Sequence, residues 1–329
     1  TDDESFLSVL PGHEMLIKGK GREAILLVVL GALTAIPLIL MITAPFIKLI
    51  PIIYENIIYF IPFILIFISL YIVLREEKIW TALIVFLATG ILGYSSLNSP
   101  VENPLLPLLG GLFGASSIII SLNQKLKIPY QEPISFKNLK GIKKDYLKSI
   151  MGSIISSPFC SFLPAIGSGH AATISSEIIP QSRKGFLIML GTINIIVMTL
   201  SFVTLFAIDK TRTGAAAAIK SIAQELSLSE LWEIIAIALA SVIIASVLAL
   251  FITNIFIKII ERINYRRVSI CMLAILVIAV MSLSNLQGFI VFITSTAWGI
   301  FAIKSNIRRI NMMGVLLIPT IIFYLTSQF

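Results

Sequence analysis

Residues 147–180 read LKSIMGSIISSPFCSF, then LPAIGSGH, then AATISSEIIP, and the way this stretch meets a membrane decides the topology of the chain. As helices, its first part reaches about 24 Å and its last only about 15 Å, at 1.5 Å per residue. A hydrocarbon core is about 30 Å thick. Between the two parts lie Pro164, Gly167 and Gly169, all poor helix formers, so the centre is expected to unwind. Either 147–163 crosses the membrane, or 147–180 enters and leaves on one side as a re-entrant hairpin.

The surrounding composition sets that question in lipid. The 329 residues are 57% hydrophobic and 13% charged, where a soluble domain carries about 25% charged residues. So apolar a chain is an integral membrane protein. Apolar runs at 24–47, 57–74, 79–94, 104–122, 186–208, 230–256, 268–283, 286–303 and 312–326 are expected to span. They are continuous rather than alternating, which argues against a β-barrel. The expectation is an all-α polytopic protein of about nine transmembrane helices plus the hairpin.

Charge chooses between the two topologies. If 147–180 is a hairpin, the loops of one face hold 20 Lys and Arg and those of the other hold 4. If 147–163 crosses, the split becomes 15 against 10. Positive charge gathers on the cytoplasmic side, so the hairpin is preferred. This gives a multi-pass protein of the cell membrane with its N-terminus cytoplasmic and its C-terminus extracytoplasmic. The net charge of +8 is then topological, and no nucleic-acid partner is expected.

Irregular backbone at membrane depth survives only inside protein or beside a water-filled cavity. Transporters place substrate sites at such breaks, where a half-helix N-terminus faces an anion. Here the second half-helix is expected to begin near Gly169, His170 and Ala171. Candidate substrate-binding residues are Pro164, Gly167, Ser168, Gly169, His170, Ala171 and Thr173, with Ser161 as a further hydroxyl donor. His170 either donates to an anion or carries a proton. Glu177 is a candidate proton or cation site, or an interfacial partner of Arg183 and Lys184. A Pro/Gly break that merely kinks a helix, and a His that merely satisfies a carbonyl, are the plain alternatives.

Other chemistry is poorly provided for. With only His13 and His170, no multi-His metal centre forms. HExxH, P-loop and GxSxG patterns are missing, which argues against an enzyme and against ATP-driven transport. No cofactor is expected beyond a co-transported H+ or Na+. Cys160 and Cys271 read as small apolar residues.

LPAIGSGHAA at 163–172 resembles a signature of the large permease subunit of tripartite tricarboxylate transporters. The opening TDDESFLSVLPGHEMLIKGKGREA resembles a second signature, from a related archaeal membrane family of unknown function. The resemblance implies a secondary permease of two halves, each with a re-entrant signature loop, and an anionic substrate, foremost a carboxylate. It also implies a small membrane subunit and an extracytoplasmic binding protein as partners. Ala165 stands where that family has Gly, and Ser168 and His170 also depart from its pattern. The chain opens without Met, which suggests an N-terminus truncated before a first half-hairpin.

An internal repeat fits two halves. Residues 7–33 and 174–193 each show an apolar stretch ending in Pro, a basic turn, and a helix bearing Leu-Gly. The expected organisation is a first transmembrane half at 1–122, a cytoplasmic linker at 123–146 whose lysines attract anionic membrane lipid, and a second half at 147–329. The outer segment 209–229 is expected to hold a surface helix, with a cap at Ser227 or Ser229. The leading function is secondary transport of a small organic anion, coupled to H+ or Na+. Carriage of a lipid-linked phosphate such as polyprenyl phosphate, and a non-transporting membrane scaffold, are the competing readings.

Overall fold

The computed structural model describes residues 11–123, 129–132, 143–223, 226–260 and 265–328. Among these the chain is helical throughout, with no strand. In order come α1 (Pro11–Ile17), α2 (Gly21–Ile57), α3 (Ile61–Leu74), α4 (Ile79–Leu97), α5 (Leu105–Leu109) and α6 (Ser116–Asn123). They continue with α7 (Lys143–Phe162), α8 (Ser168–Ile178), α9 (Arg183–Ile208), α10 (Gly214–Ile222) and α11 (Leu228–Ile260). The series closes with α12 (Tyr265–Leu283), α13 (Asn285–Lys304) and α14 (Gly314–Gln328). Residues 1–10, most of the 123–146 linker and its Lys125, Lys127, Lys137 and Lys140 lie outside the described residues.

Eight helical stretches among the described residues are long and apolar enough to cross a membrane. The chain is therefore an all-α polytopic membrane protein. The count differs from nine at one place. The sequence divides two spans at 48–56, whereas Gly21–Leu74 runs as one 54-residue helical stretch. Only a 3-10 turn at Ile58–Phe60 interrupts it. The α2 helix absorbs Pro37, Pro45 and Pro51 without breaking. The polar Asn56 keeps it company by donating its side-chain amide to the Ile52 carbonyl at 2.7 Å. At about 1.5 Å per residue the stretch is about 81 Å long, well beyond one hydrocarbon thickness.

The helices form two compact units, described separately. One draws on Tyr59–Ile128 and Ile260–Phe329, the other on Val9–Ile58 and Pro129–Ile259. In the first unit, α4 packs on α14, and α13 packs on a π-helical turn at Gly110–Ala115. A Cβ on Gly111 would meet the Phe292 carbonyl oxygen at 2.7 Å, so this glycine serves close packing. Beyond α3, buried Glu76 accepts from Arg308 at 2.5 Å and from Asn311 at 2.8 Å. Beyond α4, Asn103 donates to the Leu283 carbonyl at 2.9 Å. Each of these bonds joins segments that the charge count assigns to the same membrane face.

The second unit is built on α9, whose most apolar window is 78% buried, against 11–39% for the other candidate spans. It pairs with α2 through two glycines. A Cβ on Gly31 would lie 2.1 Å from the Ile188 carbonyl oxygen, and one on Gly191 would lie 2.2 Å from that of Val28. Exchanging the two helices maps one contact onto the other. Paired residues keep a nearly constant offset in number, as with Glu23 and Lys184 at 2.5 Å, so the helices run parallel. Thr192 Oγ1 reinforces the crossing by donating to the Gly31 carbonyl at 3.0 Å. Above it, Ile39, Phe46, Ile196, Leu200 and Phe202 form the core with Leu231 and Ile235 of α11.

Two smaller expectations are met. The outer segment holds α10, capped where Thr213 Oγ1 accepts from the Ala216 N–H at 3.2 Å. Ser227 caps α11: its Oγ accepts from the Glu230 N–H at 3.3 Å, and Glu230 accepts from the Ser227 N–H at 2.7 Å. The start of α2 is held by buried Gln131, which accepts from the Gly21 N–H at 2.9 Å.

The close crossing makes a direct prediction. Gly31→Ala and Gly191→Ala each force a methyl against a backbone oxygen, and overpacking of this kind costs about 1–3 kcal/mol. Thermal unfolding of the detergent-purified protein should show both losses. The double variant should lose less than their sum, because the first methyl already separates the helices.

Candidate functional site

The hairpin is formed by α7 and α8. Lys148 Nζ donates to the Pro180 carbonyl at 2.8 Å, and a Cβ on Gly152 would lie 2.4 Å from Ser175 Oγ. Low-numbered residues of α7 thus face high-numbered residues beyond α8, and the two arms are antiparallel. The α7 helix also lies parallel to α9: Ser149 Oγ is 2.7 Å from the Gly185 carbonyl oxygen, and Ser153 Oγ is 3.4 Å from that of Met189. Ser149, Ser153, Ser157 and Ser161, spaced every fourth residue, are fully buried. Their small size lets α7 approach its neighbours closely.

That parallel register places Leu163 level with Thr199. The turn of the hairpin therefore stands about 24 Å along α9 from Arg183, at 1.5 Å per residue. The turn comprises residues 163–167, and Ala165 sits in the left-handed region with φ 60°. This is the position where the related signature has Gly, so the departure read from sequence carries backbone strain.

The α8 helix opens at Gly167, whose N–H donates to His170 Nδ1 at 3.2 Å. A neutral ring that accepts at Nδ1 carries its proton on Nε2. His170 is 3% exposed, and its Nε2 has no hydrogen-bond partner. The N–H groups of Ser168, Gly169 and His170 also find no acceptor among the described residues. A Cβ on exposed Gly169 would meet nothing within 4 Å, so the space beside this residue is open. Unmet donors at a helix N-terminus carry partial positive charge.

The candidate residues divide accordingly. Gly167, Ser168, Gly169 and His170 form the opening turn, with half-buried Pro164 in the loop before it and buried Ala171 beneath. The Thr173 hydroxyl donates to the Gly169 carbonyl at 2.9 Å and the Ser161 hydroxyl to that of Pro158 at 2.6 Å. Both hydroxyls thus return to their own helix, a common habit of Ser and Thr. Glu177 lies in the last turn of α8, about 10 Å from His170 along the axis. Arg183 bonds Glu14, and Lys184 pairs with Glu23.

One residue at the turn escaped the sequence reading. Beyond α9, Asp209 adopts a left-handed cap and Lys220 Nζ closes on its carboxylate at 2.5 Å. The chain then doubles back, and Thr213 Oγ1 comes within 2.8 Å of Ser201 Oγ. This brings Arg212 to the hairpin, where its guanidinium donates to the Leu163 carbonyl. It lies within electrostatic reach of His170 and Cys160. Burial lowers the Arg212 pKa from its ordinary value, a desolvation effect. The available sequence signal was slight: Arg212 is one of four basic residues on the face that the charge pattern otherwise keeps nearly clear of them.

Comparison with known proteins gives a concordant result. The profile of the tripartite tricarboxylate transporter TctA family matches residues 2–314. An uncharacterized protein of Methanocaldococcus jannaschii, MJ1079, is 29% identical over 340 residues, covering 98% of this chain and 82% of that protein. No solved structure matches.

The turn makes its own stability prediction. Ala165→Gly should raise the unfolding midpoint, by up to about 1 kcal/mol, because it removes a left-handed alanine at a smaller entropic cost. Gly169→Ala should leave stability unchanged or slightly raised, since its methyl enters open space. A loss like that expected for Gly31→Ala would show that the space beside Gly169 is filled by protein.

Proposed function

The chain belongs to the tripartite tricarboxylate transporter TctA family, and on that footing we propose that it carries a small organic anion, foremost a carboxylate, by secondary transport coupled to H+ or Na+. Family membership makes it a tricarboxylate transporter permease component and a multi-pass membrane protein. The finer reading rests on the opening turn of α8. Three N–H groups without acceptors among the described residues open this helix, and buried His170 on the same turn has an unpartnered Nε2. A carboxylate at such a helix start accepts from its N–H groups.

In this reading the anion lies against Ser168 and Gly169, with Gly167 and Pro164 shaping the turn and His170 donating from Nε2. Thr173 and Ala171 line the helix beneath. The hairpin is re-entrant from the cytoplasmic side, and a cytoplasmic N-terminus with an extracytoplasmic C-terminus requires the 54-residue Gly21–Leu74 stretch to cross twice. Glu177, at the open end of the hairpin, is the proposed site for a coupling cation. The halves 1–122 and 147–329, joined by 123–146, belong to the same proposal, and the Gly31–Gly191 pairing supports a repeat. A small membrane subunit and an extracytoplasmic binding protein are the proposed partners, as for tripartite carriers.

Thermal stabilisation of the detergent-purified protein tests this reading. Di- and tricarboxylates, with and without Na+ and at two pH values, should raise the unfolding temperature. A ligand at 100 times its Kd adds about 2.7 kcal/mol. His170→Ala should remove most of the shift, whereas Lys140→Ala should leave it intact. A shift with short-chain polyprenyl phosphates alone would replace the carboxylate reading by lipid-linked phosphate carriage. No shift in either panel would favour a non-transporting scaffold.

A further inference from the structure

We propose that Arg212 is a substrate-binding residue, supplying from the loop after α9 the fixed positive charge that pairs with a carboxylate held at the start of α8. This rests on the anion-carrier reading and names the charge on which that site turns.

Three observations converge on it. The first is an uncompensated charge. Among the described residues no carboxylate pairs with Arg212: the carboxylates of Glu14, Glu23, Glu76 and Asp209 pair with other cations. Among the described residues its hydrogen bond goes to a neutral acceptor, the Leu163 carbonyl. A guanidinium has five N–H donors in a planar fork, so this bond leaves most of them for another partner. A half-buried cation without a counter-ion is unfavourable unless something anionic joins it.

The second observation is the set of donors it meets. Arg212 bonds the first carbonyl of the turn, and the turn leads directly to the unmet N–H groups of Ser168 and Gly169. His170 Nε2 is also buried and unpartnered, and lies within electrostatic reach of the same guanidinium. Every one of these groups is a donor, and no acidic side chain is among them. An anion with two or more carboxylates fits best: one group on the helix N-terminus, a second bidentate on the arginine fork.

The third observation is how Arg212 arrives there. The hairpin reaches the turn from the Arg183 end of α9, while the 209–213 loop descends from the Ile208 end. The left-handed Asp209 starts this descent, and Lys220 on Asp209 with Thr213 on Ser201 holds it. The two segments meet at Leu163. A ligand that exchanges the Leu163 carbonyl for its own carboxylate on Arg212 therefore changes a bond that joins them.

Citrate and succinate titrations of the full-length protein in nanodiscs test the assignment. For the wild type, citrate should bind, and Arg212→Gln should weaken it by about 10- to 100-fold, the range for losing a hydrogen bond to a charged group. Arg212→Lys should fall between, since it keeps the charge and loses the fork. Lys210→Gln, an exposed neighbour in the same loop, should bind as the wild type does. Succinate should lose less than citrate in Arg212→Gln if the second and third carboxylates engage the fork. Wild-type affinity in Arg212→Gln would overturn the role of Arg212 while leaving the carrier reading intact. Failure of the wild type to bind either acid would overturn both. Unliganded unfolding temperatures show whether a loss is structural: if Arg212→Gln is destabilised, the comparison passes to Arg212→Lys, and full affinity there would equally overturn the fork.

Discussion

Peptide groups that leave a helix inside a membrane protein must find partners there, and the turn at 163–167 concentrates this demand. Lipid offers no hydrogen bonds, so the free groups on both sides of the turn must be met by protein, water or ligand. On the α7 side the Leu163 carbonyl is met by Arg212. On the α8 side the Gly167 N–H is met by His170 Nδ1, but the next three N–H groups are not met by protein. Around the turn, protein thus meets the Leu163 carbonyl and the Gly167 N–H, while the three N–H groups that open α8 stay unmet among the described residues. Those open donors are what the proposed anion would satisfy.

The open turn is held in place by packing that leaves little slack. The serine ladder of α7 lies against α9, and α9 lies against α2 with Gly31 and Gly191 in backbone contact. The apolar core beyond the crossing adds α11. Within this unit the most buried candidate span is α9, in its parallel pair with α2. The hairpin turn and the 209–213 loop, which bear the proposed ligand donors, are short segments beside it.

The hairpin was legible in the sequence because its signals are local. Pro164, Gly167 and Gly169 break a helix whatever surrounds them. The two Leu-Gly helices were marked in the sequence, and only the structure shows that Gly31 and Gly191 sit at one close crossing of α2 and α9. Three things were not legible. Arg212 is 49 residues from Leu163 in sequence and reaches it only through the fold-back after Asp209. Thr173 and Ser161 have the right chemistry for ligand donors, yet a helical hydroxyl finds its own preceding carbonyls first. The helix through 48–56 persists despite Pro51, where local propensity reads a break.

The central claim is that an anion completes the donor side of the 163–167 turn. A cryo-EM map of the full-length protein in nanodiscs with saturating citrate tests it most directly. The account predicts density for the acid against the N–H groups of Ser168 and Gly169, between His170 Nε2 and the Arg212 guanidinium. Citrate bound elsewhere in the protein, with ordered water alone at the start of α8, would contradict it.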